Sequence, residues 1–184
     1  MIISTKTGDQ LDGQLLYERQ KTIRSHQTYP PGPRIAAAGL QVPENMGSVL
    51  RLADAAGSQY VTFVGSAVSA PALTRLRRTA RSTELLVQWE FCSTEDLIAR
   101  SEEFQPLLAL ELTTESLGLF DAALPEQCAF LIGSERYGIP PTLLAKCQQA
   151  VHIPMYGVNG SMNVTHALAI ALFEWRRQHS SNNQ

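Results

Sequence analysis

Three loops of this 184-residue chain gather the residue types from which a binding or catalytic site is built. The first is Gln41-Val-Pro-Glu-Asn-Met-Gly-Ser-Val-Leu-Arg51. Asn45 is a residue type that caps helices through its side-chain oxygen, and Gly47 permits the close approach of another segment. Arg51 follows nearly two helical turns later, so the two side chains can face one side. A guanidinium near a strand end suits a phosphate, whose oxygens it binds in pairs. Its commoner role is a surface ion pair, here with Asp54 at i+3.

The second loop is Gly133-Ser-Glu-Arg-Tyr-Gly138. Its glycine spacing resembles a phosphate loop, but Ile139-Pro140 stands where that motif needs Lys then Ser or Thr, which argues against a Walker-type triphosphate site. The absence of any Gly-x-Gly-x-x-Gly argues equally against a dinucleotide fold. Glu135 is left either as an acceptor for an amino or hydroxyl group, or as the solvated acid of a tight turn. The third loop runs Pro154-Met-Tyr-Gly-Val-Asn-Gly160 and continues Ser161-Met-Asn-Val-Thr-His-Ala167. Gly157 and Gly160 make it permissive. Ser161 or Asn163 can cap a helix whose first N–H groups stay free beside the loop. Locally, an ordinary loop and cap is the better explanation of these residues. His166 has no neighbour with which to activate a nucleophile.

The elements around these loops alternate. Strands are expected at Arg34–Leu40, Tyr60–Val64, Glu84–Trp89, Pro106–Leu112, Gln127–Ile132 and Ala150–Ile153. Helices are expected at Asn45–Ala56, closed by Gly57, and at Ala70–Ala80, Thr94–Arg100, Pro140–Cys147 and Asn163–Arg177. Such alternation predicts an α/β fold: a mostly parallel sheet with helices on both faces and ligands beyond the carboxyl ends of its strands. Residues 1–33 read as an extension, with a weakly apolar helix over Gln10–His26 and a stiff Tyr29-Pro-Pro-Gly-Pro33 linker. Residues 34–184 form the main domain.

The net charge of −2 conceals segregation. Glu84 to Glu126 holds ten acids and one base, whereas Ala55 to Thr83 has no acid and includes Arg75, Arg77, Arg78 and Arg81. That cluster reads either as a nucleic-acid contact or as a solvated helix face. Cys92, Cys128 and Cys147 lie far apart, and His26, His152, His166 and His179 lack ligand spacing, so neither a disulfide framework nor a metal is expected. The opening residues lack a basic-then-apolar signal pattern and no apolar run reaches bilayer length. The expectation is a cytoplasmic protein without membrane spans.

Taken in order, the loops resemble the SpoU/TrmH branch of the SPOUT methyltransferase superfamily. Asn45-Met-Gly-Ser-Val-Leu-Arg-Leu-Ala-Asp-Ala-Ala-Gly57 is similar to that branch's N-x-G-x-x-x-R-x-A-x-x-x-G. Leu131-Ile-Gly-Ser-Glu-Arg-Tyr-Gly138, continuing to Ile153-Pro-Met-Tyr-Gly157, matches its second motif. Ser161-Met-Asn-Val-Thr-His-Ala167, leading to Glu174, matches S-L-N-V-S-x-A, with Met162 and Thr165 as mild departures. The resemblance covers roughly residues 34–178.

It implies a C-terminal deep trefoil knot, a homodimer, and S-adenosyl-L-methionine as cofactor. The cofactor cradle would be Leu110, Glu111, Leu112, Gly133, Glu135, Ile153, Met155 and Ser161, Met162, Asn163, Val164. The functional residues would be Asn45, Arg51, Glu135, Ser161 and Asn163. The activity implied is methylation of a ribose 2′-hydroxyl of RNA, tRNA rather than rRNA by analogy with compact relatives. Arg75, Arg77, Arg78 and Arg81 would contact the RNA backbone, aided by Lys6, Arg19, Lys21 and Arg24. The alternatives are a non-catalytic RNA-binding protein with this fold, and an enzyme of the superfamily that methylates a base.

Overall fold

The computed structural model describes residues 10–26, 29–65 and 69–180. The chain divides into two compact units, residues 1–30 and 31–184. The first holds helix α1 (Gly13–His26). It starts later than Gln10 because the Asp12 carboxylate accepts the Leu15 N–H at 2.8 Å, a cap that sets the first turn. Arg19 and Lys21 are exposed on it, whereas Lys6 and the side chain of Arg24 lie outside the described residues.

The second unit alternates through β1 (Arg34–Ala38), α2 (Pro43–Ala56), β2 (Tyr60–Val64), α3 (Ala70–Ala80), β3 (Gln88–Cys92), α4 (Thr94–Ala99), β4 (Leu107–Leu110), β5 (Leu117–Gly118), β6 (Ala129–Ile132), α5 (Pro141–Leu144), β7 (Gln149–His152) and α6 (Val164–His179). The strands form one seven-stranded sheet in the order β3-β2-β1-β6-β4-β7-β5. Every pairing is parallel. Such a sheet needs cover on both faces, and β1 makes this visible. Ile35 and Ala37 join a core with Met46, Leu50, Leu76 and Trp175 from α2, α3 and α6. Ala36 and Ala38 point the other way, to Leu97, Phe104 and Leu143. Among the described residues no helix is long and apolar enough to cross a membrane.

Local pattern located β2 and α3 to the residue. It misplaced the strand expected at Glu84–Trp89. The Thr83 hydroxyl donates to the Ala80 carbonyl, and the Leu85, Leu86 and Val87 N–H groups donate back to the Ser82 and Thr83 carbonyls. Thr83–Leu85 is therefore a 3₁₀ turn that leaves Leu85 and Leu86 exposed, and pairing starts only at Gln88. The two-residue β5 lies below the length at which alternation can be read.

Helix α2 is buried through Met46, Val49, Leu50 and Ala53. Each large side chain so buried contributes about 1.5–3 kcal/mol. The close approach expected at Gly47 is to α3: a Cβ there would sit 2.5 Å from the Leu76 carbonyl oxygen. Gly57 ends the helix at φ 72°.

Helix α6 closes the domain. Its Trp175 indole donates to the Pro125 carbonyl at 2.9 Å, and the Arg176 guanidinium donates to the Ala56 carbonyl at 2.7 Å. Glu174 is 7% exposed and accepts from Arg177 at 2.7 Å and Gln178 at 2.8 Å. The Arg177 hydrogen bonds hold its carboxyl below the usual range. A carboxyl depressed from about 4.3 stabilises the fold above that pH and loses its contribution as pH falls through the folded value. Glu174→Gln is expected to cost about 1–2 kcal/mol at neutral pH. Urea denaturation at pH 7 and pH 3 checks this: the gap between variant and wild type narrows in acid.

Candidate functional site

Strands β1, β6, β4 and β7 are neighbours in the sheet and run parallel, so the loops at their carboxyl ends emerge side by side. This brings together segments far apart in sequence. The loop after β1 leads into α2, and the loop after β6 folds into a turn over residues 134–138. Ser134 and Gly138 exchange backbone hydrogen bonds of 3.1 and 3.0 Å across it. Gly133 lies beneath this turn, where a Cβ would meet the Gly138 carbonyl carbon at 2.1 Å.

Asn45 does not cap α2. Pro43 begins the helix, Val42 occupies the cap position, and no side chain caps it. Asn45 instead sits in the first turn, with its amide donating to the Glu135 carboxylate. The expected cap is thus replaced by a bond between residues 90 apart, joining the first two loops. Glu135 remains exposed.

The third loop joins them through Asn163. This residue is the N-cap of α6, and its side-chain oxygen accepts the Thr165 N–H at 2.8 Å and the Thr165 hydroxyl at 2.7 Å. Ser161, the other candidate cap, is exposed and makes no cap bond. Asn45, Ser134, Glu135, Arg136, Tyr137 and Asn163, with Gln41 and Val42, bound an open cleft of about 460 Å³. All three loops contribute to it.

The remaining expected residues are distributed around this edge. Leu110 is half-buried, Leu112 is 65% exposed and Met155 is 38% exposed. Ile153, Met162 and Val164 are half-buried. The Glu111 carboxylate faces protein backbone, accepting Leu112 N–H at 3.1 Å and Ile139 N–H at 3.2 Å. It ties the β4 loop to the β6 loop. Arg51 is exposed and forms no ion pair with Asp54, and it does not bound the cleft. On α3, Arg75 lies 3.7 Å from Glu44, while Arg77, Arg78 and Arg81 are exposed. Burial pushes the Cys128 thiol up to about 12 and Cys147 up to about 11, so neither is a thiolate nucleophile at neutral pH.

Arg136 and Tyr137 were not among the residues singled out from sequence, although both bound the cleft. The available signal was an aromatic beside an arginine inside a glycine-bounded loop.

A parallel sheet with a polar cleft at the carboxyl ends of its central strands defines an α/β ligand-binding domain. Its particular kind follows from comparison with known proteins. The profile of the SpoU rRNA Methylase family matches residues 33–173, and the chain belongs to that family. An uncharacterised tRNA/rRNA methyltransferase of Synechocystis is 30% identical over 81% of this chain and 55% of its own length. The tRNA (guanosine(18)-2′-O)-methyltransferase of Saccharomyces cerevisiae is 27% identical over 74% of this chain and 10% of its own. The AdoMet-bound rRNA methyltransferase of Sinorhizobium meliloti superposes with a TM-score of 0.72 at 26% identity, over 82% of this chain and 58% of that one. The chain thus spans between a tenth and a little over half of these relatives.

Proposed function

We propose that this protein transfers the methyl group of S-adenosyl-L-methionine to a ribose 2′-hydroxyl of RNA in the cytoplasm, with tRNA as the favoured substrate. The observation that carries the reading is the convergence of Asn45, Glu135 and Asn163 on one cleft. These are the polar residues of three motifs that are separate in sequence.

The residues present fit the cofactor. Leu112 and Met155 offer exposed apolar side chains at the carboxyl ends of neighbouring strands β4 and β7. A Cβ at Gly157 or Gly160 would meet nothing within 4 Å, so the intervening backbone is open to a ligand. Leu110, Gly133, Ile153 and residues 161–164 complete the cradle. Glu111 contributes indirectly, since its carboxylate holds backbone. When bound, the cofactor supplies an activated methyl group on a sulfonium sulfur.

The protein's share is orientation, which accounts for much of the acceleration in such transfers. Asn45 and Glu135 fix the two loops against each other. Asn163 holds the start of α6. A guanidinium is a poor general base, so Arg51 has another role. It grips the RNA phosphate beside the target ribose and stabilises negative charge developing on the 2′-oxygen. That phosphate accepts the proton released from the hydroxyl.

Arg77 and Arg78, with Arg75 and Arg81, hold the RNA backbone. Reversing both charges, Arg77→Glu with Arg78→Glu, is expected to weaken RNA binding about tenfold or more at low salt and to flatten its salt dependence. Filter binding over a salt series measures this, and an unchanged affinity would remove the cluster from the interface.

The resemblance also carries a homodimer, read by sedimentation, and a deep trefoil knot. The deciding experiment incubates the protein with methyl-labelled cofactor and total RNA, then digests the RNA to nucleosides. Label on a ribose bears out the proposal. Label on a base, or RNA binding without cofactor binding, transfers the assignment to the corresponding alternative.

A further inference from the structure

We propose that Tyr137, backed by Arg136, is a stacking platform for a nucleobase of the bound RNA. The inference rests on the RNA-methyltransferase reading and adds a substrate-positioning subsite to it. Within the turn over residues 134–138, nearly every polar group already has a task. Ser134 and Gly138 close the turn through their backbones. The Ser134 hydroxyl accepts the Tyr137 N–H at 3.1 Å. The Glu111 carboxylate accepts the N–H of Ile139, the next residue, at 3.2 Å, and Glu135 is held by Asn45.

Two side chains are left over, and both border the cleft. Tyr137 is 73% exposed, and the Arg136 guanidinium lies over its ring, 5.3 Å from the centroid. A cation on one face of an aromatic ring leaves the other face for a planar partner. A nucleobase is such a partner, and single-stranded RNA is commonly gripped by stacking bases on aromatic side chains.

The pinned backbone makes the site suitable. Little conformational freedom remains for the turn to lose when a base stacks on it. Stacking also suits the proposed chemistry, because it holds a nucleotide by its base and leaves the ribose 2′-oxygen uncovered. A stacking platform tolerates different bases, since every base has a π-face. Tyr137 therefore positions a nucleotide without selecting its base, and selectivity among RNAs must come from other contacts.

The test uses the full chain with its tyrosine rings labelled with carbon-13 and a short single-stranded RNA of mixed sequence as the probe. Tyr137→Phe identifies the Tyr137 signal by its loss. On adding RNA to the wild type, that signal is expected to shift. Tyr137→Ala should weaken RNA binding about tenfold, while Tyr137→Phe, which keeps the stacking ring, stays within about twofold. Cofactor affinity should be equal in all three proteins. A Tyr137 signal unmoved by RNA, or equal RNA affinity of wild type and Tyr137→Ala, overturns the proposal. If the signal moves and the alanine variant weakens while no methyl group is transferred by the wild type, the platform stands and the methyltransferase reading fails.

Discussion

Arg51→Ala is expected to reduce methyl transfer about 100-fold or more while leaving cofactor affinity within about twofold of wild type. The magnitude is that of removing one preorganised group aimed at charge that develops during reaction. The selectivity follows from placement. Arg51 is exposed on α2, is free of an ion pair among the described residues, and stands apart from the residues that bound the cleft. Its removal therefore breaks no hydrogen bond or ion pair among the described residues, and the fold should keep its melting temperature. Arg51→Lys restores charge without the planar fork and should recover only part of the rate. Single-turnover kinetics beside a cofactor titration separate the effects. Unchanged turnover in Arg51→Ala would remove this residue from the mechanism.

Gly133→Ala is expected to do the opposite: cofactor binding should fall about tenfold or more, and stability should fall with it. The added Cβ would meet the Gly138 carbonyl carbon at 2.1 Å, the Ile139 nitrogen at 2.3 Å and the Gly138 oxygen at 2.4 Å. All three are backbone atoms, so no side chain can swing aside. The turn must move as a body, and overpacking of this kind costs about 1–3 kcal/mol. Movement of the turn also carries Glu135 away from Asn45 and strains the link from Glu111 to Ile139. Gly157→Ala is the stability control, because its Cβ would meet nothing within 4 Å. Calorimetric titration and thermal melting of the two variants test the contrast. A Gly133→Ala protein that melts and binds like wild type would show that the turn relaxes without cost.

The sequence disclosed the elements whose signals are local. Tyr60–Val64 is β-branched and aromatic, and it is a strand over those residues. Asn163 is a capping type before an apolar helix, and it caps that helix. Where tertiary contacts decide, local reading gave way. Leu85 and Leu86 look like strand residues but lie exposed in and after a turn fixed by the Thr83 hydroxyl. Asn45 has the right chemistry for a cap, yet Pro43 starts the helix earlier and Glu135 claims the amide. No local pattern announces a partner 90 residues away. For the same reason no local pattern announces the bond from the Ile139 N–H to the Glu111 carboxylate, 28 residues away. The order of the three motifs supplied what local physics could not, because that order reflects strands adjacent in the sheet and distant in the chain.

The bond from Arg176 to the Ala56 carbonyl spans 120 residues. The Ala53 and Asp54 carbonyls are satisfied at once by the Ser58 and Gly57 N–H groups, but the Ala56 carbonyl must wait for Arg176. Until then the apolar face of α2 lacks the Leu168, Leu172 and Trp175 side chains that cover it in the finished core. Contacts so remote in sequence form late and slow folding. Docking of α6 on α2 is therefore expected among the last steps of folding.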